Sequence, residues 1–231
     1  MHPIFSLVLA LLFSFGLQRQ IKKYPVVFYL LSILLVLSFS LYYRYELYET
    51  FPRWFTGYVV DPFKRGAFST ALFILVMYTG ALNSKWKVTQ CLQKIRGELS
   101  IIACLITLGH NFVYGRHFFP SLILHPSELE PQHVIATCVT LVMLSMMLPL
   151  MITSFQGIRK KMKAQTWKRV QKLAYPFFAL IYIHIMVLFI PKAEEKWLEI
   201  VVYTVVFASY AVLRITKAAK SRSALRPKKE L

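Results

Sequence analysis

Runs without a single charged side chain recur along the 231-residue chain, separated by short clusters of Lys, Arg, Asp and Glu. Six of them cover residues 1–18, 24–43, 66–84, 99–115, 131–158 and 173–191. A helix crosses a bilayer core of about 30 Å with roughly 17–25 apolar residues, so all six have spanning length. A seventh run, 200–213, reaches that length when Trp197 and Leu198 are included and Glu199 lies at the interface. None alternates apolar and polar positions over about ten residues, as a membrane barrel strand must. Continuous apolar segments satisfy their backbone in lipid only as helices. The pattern predicts an all-α integral membrane protein, a bundle of about seven transmembrane helices with six forming the core. The first run lacks a basic leader and an obvious small-residue cleavage site, so it reads as a retained helix rather than a signal peptide.

The charges between the runs are sorted. With alternate loops on opposite sides and the amino terminus on side one, side two holds 21 of the 28 basic residues and only two acids, Glu98 and Glu230. Side one holds the other seven basic residues and eight acids. Cytoplasmic loops of membrane proteins carry the excess of Lys and Arg. The expected orientation is therefore amino terminus outside and carboxyl terminus in the cytoplasm, in a multi-pass protein of the cell membrane.

Composition agrees and removes other classes. Hydrophobic residues make up 57% of the chain and charged residues 16%, with a mean hydropathy of +0.52. Soluble domains sit nearer 45–50% and about 25%. The net charge of +18 is mostly topological and implies no nucleic acid. Membrane lipid is the expected partner, with the tail 217–229 facing anionic headgroups. Three cysteines, Cys91, Cys104 and Cys138, form no disulfide framework.

Six histidines are present, and only His110 and His184 fall well inside spans, the fourth and the sixth. An ionisable ring in the bilayer is costly and usually faces the bundle interior with a partner. One such histidine alone is more often a helix–helix hydrogen-bond donor than a ligand. The pair points further. His110 lies twelve residues past Glu98 and His184 twelve past Lys172, on helices running in the same direction. At about 1.5 Å per residue, each imidazole is ~18 Å from the inner boundary. Two imidazoles at equal depth suit one flat cofactor between them, and haem iron takes neutral imidazole as an axial ligand. Zinc wants three or four protein ligands, and no carboxylate or thiol lies at that depth on these two helices. Around His110, Gly109 leaves room for a macrocycle or simply for packing. Tyr114 sits one turn on and is either a cofactor neighbour or an interfacial anchor. Arg116 is placed to meet propionates or the membrane edge. Pro176, eight residues before His184, is expected to kink its helix.

At these residues the chain resembles a known family. The stretch 95–114, running from an arginine-led start to His110 and Tyr114, is similar to the histidine-ending helix of the ferric-reductase-like transmembrane domain. The segments 149–154 (Pro-Leu-Met-Ile-Thr-Ser) and 167–175 (Trp-Lys-Arg-Val-Gln-Lys-Leu-Ala-Tyr), followed by His184, resemble that family's later motif. Within the family the motifs sit nearest the haem-binding membrane subunits of bacterial periplasmic methionine sulfoxide reductase systems. The likeness spans roughly 66–191. It implies three segments: 1–65 with the first helices and an external loop, 66–191 as the haem-binding core, and 192–231 with the last helix and a basic cytoplasmic tail. It also implies b-type haem on His110 and His184. Relatives with two stacked haems carry inner histidines where this chain has Arg96 and Gln171, so one haem is expected.

The implied function is a transmembrane electron-transfer subunit, an oxidoreductase component rather than a self-contained enzyme. Electrons would come from a cytoplasmic flavoprotein or quinol, with FMN or a quinone as the donor-side cofactor, and pass to an extracytoplasmic redox partner or ferric iron. The Arg96–Gln171 region could receive an electron from a flavin or quinol, but it reads more readily as a basic loop facing lipid headgroups than as a formed flavin site. The competing class is a haem-free polytopic protein such as a small transporter or assembly factor, against which stand the lack of repeats and of a buried carboxylate in the runs. Topology is directly testable. Alkaline phosphatase fused after Glu128 should be active and fused after Lys161 inactive; the reverse pair would invert the orientation.

Overall fold

The computed structural model describes residues 2–224 of the chain, with side chains over 3–220. It is helical throughout the described residues, with no strand among them. In order the α-helices are α1 (His2–Gly16), α2 (Gln18–Lys23), α3 (Pro25–Arg44), α4 (Arg53–Phe55), α5 (Asp61–Lys64), α6 (Ala67–Ala81) and α7 (Lys87–Lys94). They continue with α8 (Arg96–Leu124), α9 (Pro131–Ser154), α10 (Gln156–Lys161), α11 (Ala164–Gln171), α12 (Ala174–Phe189) and α13 (Ala193–Ala224). Each of the seven apolar runs carries one long helix: α1, α3, α6, α8, α9, α12 and α13. Among the described residues four segments are long and apolar enough to cross a membrane by themselves: Pro25–Arg44, Arg96–Leu124, Pro131–Ser154 and Ala164–Lys220, the last containing α12 and most of α13. The helices at Pro3–Gly16 and Ala67–Ala81 are apolar but shorter.

Helix ends and charge boundaries do not coincide. α8 continues for nine residues past the uncharged run, through Arg116 and His117 to Leu124. Its backbone hydrogen bonds persist into the interface, where a charged side chain costs little. Pro176 does not kink its helix. α12 begins at Ala174, so the proline occupies the first turn, where its missing N–H has no helical partner to lose.

The central post is α6. It is apolar all round, and Phe68, Leu72, Phe73, Ile74, Val76 and Met77 are all buried. A helix with no polar face belongs in an interior. α1, α8, α12 and α13 pack around it, α3 and α9 flank α8, and α9 also packs on α12. One hydrophobic cluster joins Ala10 and Ile21 at the amino-terminal end of the chain to Tyr203, Phe207 and Tyr210 on α13. Fifteen residues of α6 extend only ~22 Å, short of the bilayer core. Enclosure by other helices removes the need to span lipid, and it leaves space beyond both ends of the post.

α13 fastens α6. The Tyr78 hydroxyl donates to the Val206 carbonyl at 2.7 Å and contacts Ser209 Oγ at 2.8 Å. At the carboxyl end of α6, Lys217 Nζ donates to the carbonyls of Gly80 (2.9 Å) and Leu82 (2.7 Å). Arg214 reaches the Gly80 carbonyl and the Tyr175 hydroxyl. A cation on the orphan carbonyls of a helix end satisfies both hydrogen bonding and dipole. Lys217, which the sequence assigns to a lipid-facing tail, therefore caps a helix, while the far part of that tail, 225–231, lies outside the described residues.

The outer faces are greasy. On α3 a helical stripe of Val26, Leu30, Leu34, Leu37 and Leu41 is exposed, each at half its surface or more. Left in water instead of hydrocarbon, the exposed part of each such side chain forfeits about 1 kcal/mol or somewhat more. Comparable rows on α9 and α13 (Ile135, Val142, Ile152; Val205, Val212, Ile215) make the same demand. Only lipid covers stripes of this extent on several helices, and the protein is a multi-pass membrane protein.

Gly109 is at the crossing of α3 and α8. A Cβ there would stand 2.5 Å from both γ-carbons of Val36. Its missing side chain serves close helix packing, and it faces α3 rather than any cofactor space. Gly109→Ala should therefore cost about 1–3 kcal/mol by overpacking. Adding Val36→Ala should restore most of it, read as the thermal midpoint of the detergent-solubilised protein. No rescue in the double variant would dissociate Gly109 from this crossing.

Candidate functional site: a paired-histidine chamber

Above the non-basic end of α6 lies a chamber of about 360 Å³, within the range of small-molecule sites. Its lining includes His110 from α8 and His184 from α12, so the two histidines that the sequence places at equal depth share one cavity. A smaller void of about 80 Å³ is also lined by Gly66, Thr140 and both rings.

Each ring is held by its Nδ1. His110 Nδ1–H donates to the Lys64 carbonyl at 2.6 Å. A carbonyl only accepts, so the proton of the neutral imidazole sits on Nδ1 and the lone pair on Nε2. His184 Nδ1 is 3.3 Å from the Ala136 carbonyl and 3.3 Å from Thr140 Oγ1. Thr140 gives its own proton to the Ala136 carbonyl at 2.8 Å, so its oxygen is an acceptor toward the ring. His184 is fixed in the same tautomer. Neither Nε2 has a hydrogen-bond partner among the described residues. Histidines that bind iron or zinc characteristically anchor the other ring nitrogen on a carbonyl in this way.

The carbonyl that orients His110 comes from the loop before α6. The sequence places Lys64 and Arg65 outside the membrane; the structure brings their backbone down to the imidazole. The turn is made by Gly66 at φ +74°, in the left-handed region that glycine enters without strain. Asp61 steadies the approach, pairing with Arg65 at 3.0 Å and accepting from the Tyr43 hydroxyl at 3.3 Å. The Lys64 ammonium stands 3.5 Å over the Tyr43 ring. Gly66, Thr140 and Ala136 are the residues that sequence reading misses. Thr140 is a polar residue in an apolar run, but nothing in the sequence says that it faces His184.

The remaining sequence candidates divide. Tyr114 lines the chamber with its ring 5.0 Å from that of His110, one turn along the same face of α8. Gly109 and Arg116 do not line it. At 3.6 residues per turn they lie roughly 100° and 120° around α8 from His110, both on the same flank of the helix. Arg116 is exposed. The cations that do line the chamber are Lys64, Arg65 and Lys196, with His133 and the buried Glu199 also present. Gly115 adds room: the Phe119 ring folds to within 2.5 Å of where its Cβ would be.

The donor set decides what the chamber suits. Among the described residues no group of three or more His, Cys, Asp or Glu comes together to hold a metal ion. Two imidazoles alone under-coordinate a bare ion. A pair of imidazoles would suit a metal whose remaining ligands are supplied by a bound group.

At the basic end a larger cavity of about 760 Å³ is lined by Arg96 and Gln171, the two positions at which the resemblance places inner histidines, and by no histidine. Gln171 Nε2 instead donates to Thr153 Oγ1 at 3.1 Å, and Trp167 Nε1 to the Thr153 carbonyl at 3.1 Å, tying α11 to α9.

Comparison with known proteins is consistent with this geometry. An uncharacterized protein of Treponema pallidum (strain Nichols) is 36% identical over 226 residues, 96% of this chain. The chain spans 62% of that relative's length. No solved structure matches. Residues 65–182, from the loop that orients His110 to within two residues of His184, match the ferric reductase like transmembrane component. That match covers just over half of the chain, which belongs to the ferric reductase like transmembrane family.

Proposed function

We propose that the protein carries electrons across the membrane through one b-type haem held between His110 and His184. The supporting observation is the pair of imidazoles in one chamber, each with Nδ1 against an acceptor and with no hydrogen-bond partner at Nε2 among the described residues. Family membership supports the reaction class. The haem, when bound, supplies reversible one-electron chemistry at iron.

The chain's own residues do the rest. The Lys64 carbonyl and the Thr140–Ala136 pair hold the rings in place and, by accepting from Nδ1–H, raise the basicity of Nε2. Phe118, Phe119, Ile185, Leu188 and Phe189 supply apolar lining. Lys64, Arg65 and Lys196 give it a cationic side suited to carboxylates, the part that the sequence assigns to Arg116. The donor is a cytoplasmic flavin or a quinol, and the acceptor an extracytoplasmic partner reductase or ferric iron. A partner of the methionine sulfoxide reductase kind rests on the motif likeness alone.

The visible spectrum before and after dithionite tests the reading. A six-coordinate b-type spectrum at about one haem per chain is expected; His110→Ala and His184→Ala should each abolish it, while His125→Ala should leave it intact. Absence of haem favours a haem-free polytopic protein, and two haems per chain overturn the single site.

The anchoring bonds give a second test. Thr140→Val removes one acceptor from His184 Nδ1. Haem retention should weaken roughly 10-fold, the lower end for loss of such an orienting partner. The midpoint potential should rise by tens of millivolts, about 59 mV per tenfold of differential binding in a one-electron couple. An unchanged potential would show that Thr140 only packs.

A further inference from the structure

The basic-end cavity has a polarity gradient. Phe73, Met77, Met147, Leu150, Phe177 and Phe178 line its apolar part, while Lys22, Lys94, Arg96, Arg159, Lys160 and Lys217 contribute six cations. Glu98 is the one carboxylate in the lining. It is already engaged, by Lys22 Nζ at 3.3 Å and by Gln156 Nε2 at 2.9 Å. Lys217 is committed to the carbonyls of Gly80 and Leu82, and the Arg159 guanidinium lies 4.4 Å from the centre of the Trp167 ring.

Three cations remain. Lys94, Arg96 and Lys160 have no hydrogen-bond or ion-pair partner among the described residues, and they reach the cavity from the end of α7, the start of α8 and the end of α10. Cations gathered from three elements around one void repel one another unless an anion lies between them. The charge sorting puts this end on the cytoplasmic side, at the depth of lipid headgroups. Basic pockets between membrane helices at that level are suited to anionic headgroups, and the apolar wall beneath fits the chain that follows. We infer that the cavity binds the phosphodiester headgroup of an anionic phospholipid from the cytoplasmic leaflet, with Lys94, Arg96 and Lys160 as its cationic contacts.

This site is independent of the paired-histidine chamber, and its test does not require haem. The full-length chain, delipidated in neutral detergent, is titrated with short-chain phosphatidylglycerol and, in parallel, with phosphatidylcholine of the same chain length and with inorganic phosphate. Bound lipid is counted by native mass spectrometry. One saturable phosphatidylglycerol is expected, with phosphatidylcholine and phosphate failing to compete. Arg96→Gln with Lys160→Gln should weaken binding about tenfold or more, the scale of two headgroup-level charges. Lys94→Gln alone should weaken it less, and Lys172→Gln, at the same end but outside the cavity, should not change it. Equal loss with Lys172→Gln would reduce the effect to general surface attraction. Equal binding of phosphatidylcholine, tight binding of phosphate alone, or a co-purified flavin displaced from the cavity in place of lipid would also overturn the inference. The dithionite spectrum of the same samples reports the chamber separately.

Discussion

A neutral imidazole inside a bilayer must place its N–H on an acceptor, and water is not there to provide one. For His110 the acceptor is the Lys64 carbonyl, and much of the architecture follows from delivering it. The chain between α3 and α6 must turn back into the protein, which requires the left-handed Gly66. Asp61 and Tyr43 pin the approach. α6 must then begin below the membrane surface, and at fifteen residues it ends before reaching the other one. The hydrogen bond, the turn and the short central helix are one solution to one requirement.

That short helix explains the two cavities. The much longer helices α8 and α13 pack against it, so space is left at each end of the post. At one end the void is lined by two anchored histidines, a cationic side and aromatic rings. At the other it is lined by unpaired cations over an apolar wall. The same scaffold thus separates two kinds of lining, and the difference lies in which side chains α8, α11 and α12 present at each level. At the inner level Arg96 and Gln171 line the void. Gln171 ties to Thr153 of α9, as His184 ties to Thr140 one level out on the same helix.

The match to the ferric reductase like transmembrane component begins at residue 65, so the first 64 residues lie outside it. They are structurally joined to it all the same. α1 packs on α6, α3 on α8, and the loop ahead of residue 65 supplies the carbonyl for His110. The amino-terminal part is therefore part of the site.

By itself the sequence determined the helical membrane class, the seven apolar runs, the charge asymmetry and the position of His110 and His184, alone of six histidines, well inside two of those runs. Each follows from local composition, because hydrocarbon excludes charge and unsatisfied backbone wherever the segment lies. The run boundaries were less secure. α8 outlasts its uncharged run, and Pro176 falls in a first turn rather than mid-helix, because helix ends obey backbone hydrogen bonding and not charge. Only the tertiary structure decided which faces meet. It turned Gly109 to Val36 and Arg116 outward, gave the chamber Lys64, Arg65 and Lys196 instead, and set Thr140 beside His184 across 44 positions. Rotation about a helix axis and pairing between distant helices are settled by packing of the whole bundle, and no run of residues read alone contains them.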